Sequence, residues 1–76
     1  MKDLEHAIRG IYHKHINKVE AEMAVGNHGL AYQIYNQVFD DYLILKTKGI
    51  VFPKVEERIK KNALVFNQWK GFDYQI

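Results

Sequence analysis

A chain of 76 residues with 47% hydrophobic and 13% aromatic content and a formal charge of +2 is the size of one small domain, whose core buries only about 60% of the surface the unfolded chain exposes. It has no Cys and no Ser, and Thr47 is its only Thr, which excludes disulfide frameworks, thiolate zinc sites, Cys and Ser nucleophiles and Ser-based phosphate loops. No segment matches a signal peptide or the roughly 18–20 apolar residues of a membrane span, so a soluble cytoplasmic protein is the expectation.

Leu4, Ile8, Ile11, Tyr12, Val19 and Met23 recur at helical spacing and predict an amphipathic helix over about 3–25, with Asp3 as its N-cap. Gly26-Asn27-His28-Gly29 then reverses the chain, with Asn27 placed to cap the next helix. Across 29–47, Ala31, Ile34, Tyr35, Val38, Tyr42 and Leu45 share one face, and Tyr32, Phe39 and Leu43 widen it toward half the circumference. A face that broad must touch two neighbours, so this second helix is expected to lie between the other two. Lys46, Lys48 and Gly49 close it, with cations at the negative end of the helix dipole and Gly where a left-handed residue is wanted.

After the apolar connector Ile50-Val51-Phe52, Pro53 suits the first position of a third helix over about 53–70. Its inward face is Val55, Ile59, Asn62, Ala63, Phe66 and Trp69, while Glu56 to Lys60 and Glu57 to Lys61 form i,i+4 pairs outside. Gly71 stops the helix. Phe72, Tyr74 and Ile76 follow at a spacing of two, which turns all three one way if the tail is extended along the bundle. The fold class that follows is all-α: an antiparallel three-helix bundle in a single domain, with an apolar C-terminal tail packed on it.

The polar residues do not assemble a reactive centre. No two of His6, His13, His15 and His28 have the i,i+4 spacing of helical metal ligands, and His6, His13 and Glu20 lie about 10 Å apart along a solvated stripe. Asp40 and Asp41 diverge by about 100° on a helix, too far for paired acid/base work; Asp41 is placed to pair with Arg58 or a lysine of the third helix. No catalytic, metal or cofactor residues are therefore expected. His15 and Glu22 are more telling, because they interrupt the seam Leu4, Ile8, Ile11, His15, Lys18 or Val19, Glu22, which has the 3–4 spacing of a coiled-coil core. His15 is expected inside the apolar stripe of its helix, at the bundle edge and bonded to a Tyr hydroxyl or a backbone carbonyl; a His and a Glu meeting across a dimer interface is the second reading.

Charge is divided along the chain. Residues 1–45 hold four basic and six acidic groups, and residues 46–70 hold seven basic and two acidic. Lys46, Lys48, Lys54, Arg58, Lys60 and Lys61 with nearby aromatic rings are the ingredients of a nucleic-acid-binding patch. The interrupted seam marks His15 and Glu22, and the apolar surplus Tyr32, Leu43, Phe72 and Tyr74, as a candidate protein interface. The favoured expectation is a small non-enzymatic interaction module, a regulator, inhibitor or accessory subunit that binds a protein partner or pairs with itself as a homodimer. Nucleic-acid binding through the basic region is the alternative.

Overall fold

Chain reversals with distinct chemistry divide the sequence into its elements. A computed structural model, which describes residues 2–70 and the side chains of residues 4–69, contains helices α1 (Lys2–Ala24), α2 (His28–Thr47) and α3 (Pro53–Lys70). Residues 71–76, and with them the expected packing of the tail, lie outside the described residues.

Gly26 and Gly49 adopt φ of 87° and 84°, a left-handed backbone that disfavours residues with a Cβ. Each therefore ends a helix in the same way. At the first, the Gly26 amide donates to Met23 O (3.1 Å) and the Asn27 amide to Glu22 O (2.8 Å). At the second, Gly49 donates to Lys46 O (3.0 Å) and Ile50 to Leu45 O (3.1 Å). Both are Schellman closures. Ile50 and Leu45 add the apolar contact that usually accompanies this motif, both packed on the core. The Asn27 side chain does not cap α2; its Nδ2 donates back to Glu22 Oε2 at 2.8 Å, so it seals α1 instead.

The core consists of Tyr12, Ile16 and Val19 from α1, Ala31, Tyr35, Val38, Phe39 and Tyr42 from α2, Phe52, and Val55, Ile59, Ala63 and Phe66 from α3. The inward seam of α1 thus runs Ile8, Tyr12, Ile16, Val19, Met23. Leu4 and Ile11, expected to face inward, are 60% and 53% exposed, and His15 is exposed as well. Ring contacts set the topology as up-down-up. Tyr12 meets both Tyr42 and Phe52, Tyr35 stacks on Phe66 with centroids 4.7 Å apart, and His28 stacks on Trp69. α2 therefore runs antiparallel to both neighbours.

No helix lies between the others. The backbones of α1 and α2 approach most closely, and α1 also reaches α3. The broad face of α2 does touch both partners, but it meets α3 through large rings that hold the two backbones apart. The Tyr35 hydroxyl, fully buried, donates to Ile59 O at 3.0 Å. The Tyr42 hydroxyl accepts from the Phe52 amide (3.1 Å) and donates to Glu56 Oε1 (3.2 Å). A phenol reaching across a helix interface thus satisfies backbone groups that the connector leaves open.

Candidate functional site

The two sides of α1 are distinguished by what α3 covers. Arg58 on α3 extends along one flank of α1, donating to His13 Nδ1 (3.0 Å), Asn17 Oδ1 (2.7 Å) and Glu20 Oε1 (3.1 Å). Asn62, 4% exposed, donates to Glu20 Oε2 (3.1 Å) and to Arg58 O (3.0 Å). A buried amide so placed loses little on leaving water, because both acceptors replace hydration. Burial raises the Glu20 carboxyl, but hydrogen bonds from Asn62 and Arg58 outweigh it and hold the group below the usual glutamate range. Burial lowers the His13 imidazole, aided by the charges of Arg58 and Arg9.

This network corrects two expectations. Of the expected solvated stripe His6 and Glu20 are exposed, but His13 is half-buried and Arg58 joins it to Glu20. Asp41 is exposed and is not the partner of Arg58.

The basic region is partly neutralised. Lys46 pairs with Glu56 (2.9 Å), Lys60 with Glu56 (3.6 Å) and Arg58 with Glu20 (3.1 Å). Glu56, expected on the outside, is drawn between Lys46, Lys60 and Tyr42, and its carboxyl lies below the usual range chiefly because Lys46 hydrogen-bonds it. Of the six candidate cations, Lys48, Lys54 and Lys61 are exposed and enter no ion pair among the described residues.

A cleft of about 460 Å³ opens between the first turns of α1 and the α2–α3 connector, lined by Glu5, His6, Arg9, Ile50, Val51 and Lys54 among others. Neither His15 nor Glu22 lines it. Among the described residues no group of three or more His, Asp or Glu side chains could hold a metal ion, and no helix is long and apolar enough to cross a membrane.

The candidate interface residues divide between two surfaces. Tyr32 is half-buried with its ring 6.2 Å from Phe66, on the α3-facing flank of α2. Leu43, also half-buried against the core, lies about 20° from Tyr32 around the helix. Phe72 and Tyr74 lie outside the described residues. His15 and Glu22 instead stand on the flank of α1 turned away from α3, where Glu22 pairs with Lys18 (3.5 Å) and Asn27.

That flank belongs to a continuous feature. Leu4, Ile8, Ile11, His15, Lys18, Glu22 and Val25 follow strict 4–3 spacing, a second seam about 100° round from the buried one and sharing Ile8 with it. α2 has its counterpart in Leu30, Ile34, Gln37, Asp41, Ile44 and Lys48, on the side of α2 opposite the Tyr35, Tyr42 and Lys46 contacts with α3. The two seams border the outer groove of the α1–α2 pair. Leu4, Ile11, Leu30 and Ile44 are 60%, 53%, 45% and 55% exposed on it, above half-buried Ile8, Ile34 and Leu45. The α2 seam is hard to see in the sequence because Ile34 also serves the core and Gln37, Asp41 and Lys48 mask the period.

No family model matches the chain. No curated protein and no solved structure is detectably similar to it. The class is therefore defined by the fold itself, an all-α three-helix bundle.

Proposed function

We propose that this chain is a small non-enzymatic protein–protein interaction module, a regulator, inhibitor or accessory subunit, which acts by presenting the outer α1–α2 face to a protein partner. One observation carries the reading. Two adjacent helices each hold a second seam of core-like spacing turned away from the core, and Leu4 and Ile11 on one and Leu30 and Ile44 on the other are exposed along it. Isolated exposed Leu or Ile is ordinary, whereas aligned apolar residues on a neighbouring pair of helices form the kind of surface that another helix covers.

The nucleic-acid reading has less support. Three of its six cations are engaged by Glu20 and Glu56, which removes them from the counterion release that would drive phosphate binding.

The test is capture of bound protein from a lysate of the native cells, comparing the wild-type chain with Ile44→Asp. Ile44 is exposed, so the fold tolerates the change, as circular dichroism would show. Recovery of a protein, this chain or another, by the wild type and its loss with Ile44→Asp is the expected result. Equal recovery by both, or none by either, would overturn the proposal.

A further inference from the structure

We infer that the occupant of the outer α1–α2 face is a second copy of this chain, related by a two-fold axis parallel to the helices, so that α1 of each copy lies on α2 of the other. The inference rests on the reading of this face as a protein-binding surface and adds what binds there and how.

Charge supplies the argument. On α1 the exposed residues at mid-height on this side are Lys14, His15 and Lys18; on α2 they are Asp40 and Asp41. Lys18 is held by Glu22, but Lys14, His15, Asp40 and Asp41 enter no ion pair among the described residues. Lys14 and Lys18 on α1 therefore stand level with the acidic pair on α2, exposed on either side of the groove. An unmatched arrangement of this kind is complementary to itself.

The symmetry follows from the heights. The Tyr12 and Tyr42 rings meet, which places Ile11 level with Ile44 and His15 level with Asp41 on the antiparallel pair. A two-fold axis parallel to the helices keeps every residue at its own height and reverses the two sides of the face, so that α1 of one copy meets α2 of the other. Ile11 then faces Ile44 of the partner, Lys14 and His15 face the partner's Asp40 and Asp41, and Val25 faces the partner's Leu30, each contact occurring twice. A perpendicular axis would lay α1 on α1 and α2 on α2, setting Lys14 and Lys18 against their own kind and the aspartates against theirs, which like-charge repulsion opposes.

Size agrees with this. Helices of about 20 residues are about 30 Å long, and two of them 8–10 Å apart present a face about 20 Å wide, or about 600 Å² per copy. The pair would bury about 1,200 Å², the lower bound for a specific stable interface. Exchanging exposed apolar surface for a second core also offsets the small core of a chain this short.

The absence of Cys makes the geometry directly readable. The experiment combines light scattering on the intact chain with disulfide trapping of Ile11→Cys and Ile44→Cys, each prepared alone and then mixed. A dimer is expected, with a cross-link in the mixture linking one variant to the other and little in either variant alone, because a disulfide needs Cβ atoms about 3.8 Å apart. A chain that stays monomeric at high concentration would overturn the inference. So would a dimer that cross-links through Ile11→Cys alone, or one that gives no cross-link in the mixture. Monomeric behaviour together with Ile44-dependent capture of a different protein would overturn self-pairing and leave the binding face standing, whereas monomeric behaviour with no capture would remove both.

Discussion

Arg58 on α3 donates to the Nδ1 of His13 on α1 at 3.0 Å. A guanidinium can only donate, so this imidazole nitrogen must be the unprotonated one and the ring must be neutral. Protonation would put two cations in contact. Because folding lowers the His13 pKa, the stability from a neutral ring is fully present at high pH. It is lost as pH falls below the unfolded value of about 6.5 and through the lower folded one. Urea unfolding between pH 8 and pH 5 should show stability declining over the acidic part of this range. His13→Gln, which retains an acceptor and cannot titrate, should flatten the decline. An unchanged slope in that variant would refute the assignment. Glu20 adds a second loss at lower pH, since its carboxyl is also lowered and its protonation at acid pH weakens the same α1–α3 contact.

Two buried tyrosines should respond differently to loss of their hydroxyls. Tyr35 donates to Ile59 O, a carbonyl inside α3 that retains its place in the helix ladder. Tyr35→Phe should therefore cost about 1 kcal/mol, or about 4–8 °C in Tm for a domain of this size. Tyr42 accepts the Phe52 amide and donates to Glu56. Tyr42→Phe leaves that buried N–H without its acceptor, a loss of about 1–3 kcal/mol in addition to the bond to Glu56. Thermal melts should rank Tyr42→Phe clearly below Tyr35→Phe; the reverse order would show that the connector finds another acceptor.

The glycines should also respond with opposite signs. Gly10 sits within α1, and a Cβ added there meets no atom within 4 Å. Gly10→Ala should thus stabilise by about 0.5–1 kcal/mol through helix propensity alone. Gly49 has φ of 84°, and Gly49→Ala should destabilise by about 1–2 kcal/mol because an L-residue is strained there despite the open space around it. Chemical denaturation of the two variants beside the wild type distinguishes the cases.

Local chemistry explains which features were legible from sequence. Gly26, Gly49 and Pro53 mark the helix ends by backbone constraint, so the boundaries agree with the structure to within a residue or two. The rotation of α1 was harder to read. Seams through Leu4, Ile11 and His15 and through Tyr12, Ile16 and Val19 both have helical spacing, and a single helix has no means of telling which one its neighbours will cover. The three polar residues His15, Lys18 and Glu22 favour the second, whereas Leu4 and Ile11 favour the first. The Arg58 network could not be read from sequence, because its members come from α1 and α3 and meet only once both helices pack. Asp41 near Arg58 was as reasonable from spacing as Glu20, and the choice between them depends on which helix faces that flank of α3.

The charge pattern on the outer face gives the proposed pairing a test that is independent of cross-linking. In a dimer with α1 on the partner's α2, a variant with Asp40→Lys and Asp41→Lys has basic groups on both helices and should be monomeric. A variant with Lys14→Glu and Lys18→Glu has acidic groups on both and should be monomeric as well. Mixing them sets the basic α1 of one copy on the acidic aspartates of the other, and the acidic α1 of that copy on the introduced lysines, so attraction is restored at both contacts. The mixture should form a heterodimer by light scattering, weakening as salt is raised because these charges are exposed and screened. All four positions are exposed and carry no core packing, so the variants should keep the helical signal of the wild type. If the two variants remain separate on mixing while each is folded, then α1 does not lie on α2 of the partner.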